Sequence, residues 1–164
     1  MVAYDPSEWS ELFVAAAGAS AALAGLVFVA VSINLERILK YDGLPERALE
    51  TLLLLLGVLV FSVVGLIPGQ GHSALGAEML GLGLFLLATI VALPYSHKSI
   101  DGEPRYGLVT RWGIRLGGTA PLIVGGASIL AESGGGLYWI VAGMVLAVTG
   151  AVANAWVLLV EIVR

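Results

Sequence analysis

Five apolar stretches, each near the length of a membrane-crossing helix, constrain this chain more than anything else in its sequence. They run at about 12–34, 49–67, 74–93, 112–131 and 137–160, with short polar breaks between them. A hydrocarbon core about 30 Å thick needs roughly 20 apolar residues per helical span. Irregular backbone and open sheet edges are not tolerated against lipid, so runs of this length predict helices. The expectation is an all-α integral membrane bundle, five transmembrane helices forming a single domain over residues 1–164.

Composition supports this. Of the 164 residues, 59% are hydrophobic and 12% are charged, about half the charged share of a typical soluble domain. Mean hydropathy is +0.96. Cysteine is absent, which excludes disulfides, thiolate metal sites and cysteine nucleophiles. The net charge of −4 comes with no basic tract, so the electrostatic footprint of a nucleic-acid binder is missing. The segment from Met1 to Phe13 has no basic n-region, short apolar core or cleavage site, and the mature chain is expected to begin near Met1.

Helix boundaries follow from local chemistry. Asp5-Pro6-Ser7 reads as a helix start, with the proline near the first helical position. Span two opens at Leu44-Pro45-Glu46, a proline and an acid in the first turn, and stops at Pro68-Gly69. Span three ends at Pro94. Span four has only Leu116 to Leu130 as an uninterrupted apolar run, roughly 22 Å of helix. It is therefore expected to begin near Tyr106 and enter obliquely, with Arg111 and Arg115 snorkelling. Pro121 removes a backbone bond inside it and predicts a kink near Gly117. Glu132-Ser133-Gly134-Gly135-Gly136 is a turn into span five.

Charge sets the orientation. The basic residues are Arg37, Lys40 and Arg47 after span one, Lys98, Arg105, Arg111 and Arg115 before span four, and Arg164 at the end. With five spans these all fall on one side. The positive-inside rule makes that side cytoplasmic, with the N-terminus outside and the C-terminus inside.

Without a hydrophobic drive between helices in lipid, small residues are expected to carry the packing. Ala15 to Gly25 is small throughout except Leu23, and span one reads as a packing spine. Its Gly18, Ala22 and Gly25 are expected to face the stripes Gly113, Gly117, Pro121, Gly125 of span four and Gly143, Ala147, Gly150, Asn154 of span five. Such stripes serve packing within the chain, an interface in a homo-oligomer, or both.

The polar residues within the spans are the candidates for chemistry. Buried ionisable groups in membranes are costly and often functional. Glu50, Glu161 and Arg115 lie at one level near the cytoplasmic side, as interfacial anchors, a structural Glu–Arg pair, or a gating group. Asn34, with Ser32, marks the same level on span one, and Asn154 is the deepest strong hydrogen-bonder of span five. On the other side, Glu78 with His72 and Glu132 could bind a cation or relay protons. Other serines and threonines, Ser128 among them, can bond carbonyls of their own helix.

No phosphate-binding loop, HExxH or GxSxG occurs. Gly126-Ala127-Ser128 touches on an intramembrane serine protease motif, but no later span offers a histidine as base. No cofactor and no enzymatic activity are expected. The stretches Gly18–Leu39 (GASAALAGLVFVAVSINLERIL) and Gly43–Val60 (GLPERALETLLLLLGVLV) resemble a group of small bacterial multi-pass membrane proteins. Some of these carry the label "modulator of FtsH protease". The resemblance implies a membrane protein partner and supplies no site residues. The Ala, Gly, Leu and Val bias with only two lysines also fits a GC-rich bacterium and its plasma membrane. Two functions fit the sequence: a non-enzymatic protein acting through helix association, in the bilayer and with copies of itself or a membrane partner, and an oligomeric channel or small-solute transporter.

Overall fold

The computed structural model describes residues 2–41, 43–93 and 106–163, the side chains of 106–111 and 161–163 excepted. The described residues are helical and contain no strand. Two short 3-10 turns, Val2–Tyr4 and Pro6–Trp9, lead into α1 (Ser10–Ile33), a one-turn α2 (Leu35–Ile38), α3 (Leu44–Gly65), α4 (His72–Ala92), α5 (Tyr106–Leu130) and α6 (Leu137–Val163). Five of these helices are long and apolar enough to cross a membrane. The loop bearing Lys98 and Arg105, the stop at Pro94 and the terminal Arg164 lie outside the described residues.

The starts and stops follow the residues that predict them. Asp5 caps the second 3-10 turn, accepting from the Ser7 amide at 3.0 Å, with Pro6 in its first positions. Leu44-Pro45 opens α3 behind Gly43, whose φ of 87° needs no side chain. The end of α3 comes at Gly65 rather than at residue 67. Leu66 and Ile67 instead donate to the carbonyls of Val63 and Val64, tightening the last turn before Pro68. Helix α5 does begin at Tyr106 and runs unbroken across Pro121.

Helix α5 lies between α4 and α6, and α3 packs on α6, on α4 and on α1. A core of Leu54, Phe61, Met79, Leu122, Ile140 and their neighbours fills the space between α3, α4, α5 and α6. A smaller cluster of Ile38, Leu44, Ala48 and Leu158 folds α2 back on α3 and α6. In general, interfaces without side-chain bulk let helix backbones approach closely, and glycines supply them here. A Cβ on Gly126 would meet the backbone of Leu80, lying 2.7 Å from its Cα. One on Gly143 would lie 2.6 Å from Leu122, and one on Gly118 would lie 3.2 Å from the backbone of Ala147.

Two packing expectations need correction. On α5 the stripe in use is Gly118, Leu122, Gly125 and Gly126, while Gly113 and Gly117 meet nothing within 4 Å. The contacts are chosen by where Leu80, Ile140 and Ala147 stand. Glycine spacing on α5 alone does not reveal them. The stripe on α6 does pack inside the bundle, but on α5 rather than on α1, with Gly143 against Leu122 and Gly150 against Ile114. Helix α1 is not the spine. It packs chiefly on α3 and barely on α6, burying fully only Phe13 and Ser20. The Phe13 ring sits against Gly65, 2.6 Å from where a Cβ would be. Gly18, Ala22 and Gly25 face away from the bundle, with nothing within 4 Å of a Cβ at Gly18 or Gly25.

Candidate functional site

Near one end of the bundle two charges are buried together. Glu50 lies on α3 with 3% of its surface exposed and Arg115 on α5 with 5%. The Arg115 Nε and Nη2 both donate to Glu50 Oε2, at 3.1 and 3.0 Å. The guanidinium also stands 5.8 Å from the centre of the Trp112 ring, within the range at which a cation is drawn to an aromatic face. Local backbone demand is met nearby. Thr119 Oγ1 donates to the Arg115 carbonyl at 2.7 Å and Thr51 Oγ1 to that of Arg47 at 2.8 Å. The pair ties α3 to α5 through long side chains, since both helices lean mainly on other neighbours. A buried guanidinium keeps its charge, so a carboxylate facing it is the arrangement that makes burial tolerable.

The other residues of this level divide. Asn154 is buried on α6, one turn beyond Gly150. Asn34 is spent on its own helix: its Nδ2 donates to the Ala30 carbonyl at 2.9 Å, closing α1. Ser32 likewise donates to Phe28 at 2.8 Å. Neither joins the ion pair. The side chain of Glu161 lies outside the described residues. Sequence reasoning passed over Glu46, in the first turn of α3, as helix-start chemistry. One of its carboxylate oxygens is shielded from solvent with no partner among the described residues.

At the opposite end, His72, Glu78 and Glu132 do not come together. Among the described residues no group of three His, Cys, Asp or Glu side chains is placed to hold a metal ion. Glu78 Oε2 accepts from Gln70 Nε2 at 2.6 Å, and Glu132 sits exposed in the turn after α5 with φ of 49°. His72 Nδ1 lies 2.9 Å from the Tyr4 carbonyl. A carbonyl only accepts, so Nδ1 carries the proton, and in the neutral ring Nε2 is left as an acceptor.

Two residues at this end do more than the sequence suggested. Tyr4, expected only as an interface anchor, accepts from the Gly135 amide through its hydroxyl at 3.2 Å. Ser128, expected to bond within its own helix, donates to the Ser133 carbonyl and accepts from the Gly136 amide at 2.8 Å. The signal for Ser128 was the glycine run that follows it. At Gly136, φ is 48° and a Cβ would collide with the Ala3 carbonyl, so only glycine admits the N-terminal segment there. Trp9 completes the seat, edge-on to Tyr138 with ring centres 4.8 Å apart. Asp5 accepts from both the hydroxyl and the amide of Ser7, and these bonds hold its carboxyl below the ordinary aspartate range. No family model matches this chain, nor does any curated protein or solved structure.

Proposed function

We propose that the chain is a bacterial plasma-membrane protein, N-terminus outside and C-terminus in the cytoplasm, that acts without catalysis by associating with other membrane helices. The observation that carries this reading is the uncovered side of α1. A helix held by one neighbour leaves Gly18, Ala22 and Gly25 facing outward, and small residues at such spacing let a second backbone come close. The partner is another copy of the chain or a different membrane protein. The resemblance of Gly18–Leu39 and Gly43–Val60 to modulators of a membrane-bound protease favours the latter class of partner. The buried charges support the same reading, because Glu50 and Arg115 answer each other rather than facing a conduction path.

Gly18→Ile and Gly25→Ile should weaken association while leaving the bundle's own stability within about 0.5 kcal/mol, the usual range for a surface change. Energy transfer between labelled copies in liposomes, and co-purification from crosslinked membranes, measure the first. Unfolding followed by helical circular dichroism measures the second. Association that survives both substitutions would remove α1 as the interface. Ion and solute flux across liposomes is expected to be the same with and without the protein. A flux that appears with it and changes in Glu50→Gln would favour the channel reading instead.

Orientation has its own test. Cysteines placed at Ser7 and Ser73 should react with an impermeant thiol reagent in intact cells, and one at Ser99 should not. The reverse pattern would overturn the topology.

A further inference from the structure

Asn154 is the buried polar side chain that the fold leaves unanswered. It lies on α6 with 6% of its surface exposed, and its carboxamide makes no hydrogen bond among the described residues. The other buried hydroxyls reach carbonyls, and Glu50 and Arg115 reach each other. An amide inside a span has no lipid group to answer it, so leaving it unbonded is costly.

The register of α6 puts Asn154 at the ion pair. Leu54 of α3 and Ala147 of α6 both stand within 3.2 Å of a Cβ at Gly118 of α5. Toward the Glu50 end, Leu158 of α6 packs with Leu44 and Ala48 of α3. Asn154 falls between these two contacts on α6, and Glu50 falls between them on α3. Ala147, Ala151, Asn154 and Leu158 are all buried, and their spacing of three and four makes them one inward row.

The pair has hydrogen-bonding capacity to spare. Both Arg115 bonds end on Glu50 Oε2, which leaves Oε1 outside the fork. A guanidinium carries five N–H groups, and the fork uses two of them. The carboxamide adds two donors and an acceptor. Donors and acceptors are therefore both available, and the charges of Glu50 and Arg115 cancel. Such a balance suits a neutral molecule that both donates and accepts, and it gives an ion nothing to neutralise.

We infer that a water molecule is held between Asn154 and the Glu50–Arg115 pair. It accepts from the Asn154 amide and donates to Glu50 Oε1, so that α3, α5 and α6 meet in one polar node. Buried waters take this role elsewhere, with about three hydrogen bonds each to groups otherwise unbonded, and they bridge nearly as well as a direct bond.

The sequence has two asparagines, Asn34 and Asn154, which makes the test selective. Isotopic labelling of asparagine nitrogen gives two side-chain carboxamide signals, and Asn34→Gln assigns them. In deuterated detergent the Asn154 carboxamide should show a long-lived nuclear Overhauser contact to water, and Glu50→Leu/Arg115→Met should abolish it. Stability gives a second readout. Asn154→Leu, a change of similar shape, should lower the midpoint of detergent unfolding in the parent. In the Glu50→Leu/Arg115→Met background it should raise the midpoint, because the carboxamide there has lost its bridge. A carboxamide touching only aliphatic protons, a water contact that persists in the double variant, an Asn154→Leu midpoint above the parent's, or a parent midpoint raised by sodium but not by choline would each overturn the inference.

Discussion

Glu50→Leu is expected to destabilise the bundle by about 3–5 kcal/mol, the cost of leaving one member of a buried ion pair alone. Arg115→Met should cost less, although it breaks the same contact. The difference is chemical: a stranded carboxylate can take a proton and shed its charge, whereas a stranded guanidinium cannot. The double variant Glu50→Leu/Arg115→Met should lie above both single variants and near the parent, because apolar replacement of a whole buried pair is often neutral or better. Denaturant or detergent titration of helical circular dichroism in micelles measures all three. A double variant as unstable as the two single effects added together would mean that Glu50 and Arg115 contribute independently, against the shared 3.0 Å contact. Since both residues are at least 95% buried, solvent screening should take little from the effect.

Among the glycines inside the helices, Gly126→Ala should be the most damaging single methyl, at about 1–3 kcal/mol, with Gly126→Leu preventing native packing of α4 on α5. The size follows from what the new carbon meets. At Gly126 it meets the Leu80 backbone, which moves only if a helix moves. At Gly57 it would meet the methyls of Leu86, 2.7 Å from the nearest, and a leucine tip can turn aside. At Gly117 it meets nothing within 4 Å, so Gly117→Ala should be neutral or stabilise by up to about 1 kcal/mol through helix propensity. The same unfolding measurement ranks the three. Finding Gly126→Ala as mild as Gly117→Ala would mean that α4 and α5 are not locked at this crossing.

These contrasts mark where sequence reading reached and where it stopped. The number of long apolar helices, the opening of α3 at Leu44-Pro45, the start of α5 at Tyr106 and the turn at residues 132–136 were all legible, because each rests on local chemistry: run length, proline and glycine. Glu50, Glu161 and Arg115 were legible as sharing one level, with a Glu–Arg pair among the readings, but which carboxylate faces Arg115 was not, because depth alone does not choose between α3 and α6. The placement of α1 was not legible either. Its eleven residues from Ala15 to Gly25 permit close approach on nearly every side, and permission does not choose a neighbour; Phe13 seated on Gly65 does. The failure of the Gly113–Gly125 spacing has the same cause, since α5 carries a second small-residue row and only its partners' bulk selects between them. At the other end, His72 and Glu78 looked like one site because both titrate. Geometry gave His72 to the Tyr4 carbonyl and Glu78 to Gln70.

The bonds that seat the N-terminal segment carry a consequence for the order of assembly. Tyr4 reaches His72 across 68 positions and Gly135 across 131. Tyr4 is synthesised before either partner, since these stand at the start of α4 and in the turn before α6. Closing such long loops comes late, after the local helices have formed and found one another. A nascent chain therefore carries Tyr4 without Gly135 and Trp9 without Tyr138 until α6 is made. Protection of Trp9 from quenching, followed during synthesis, would act as a clock for completion of the bundle.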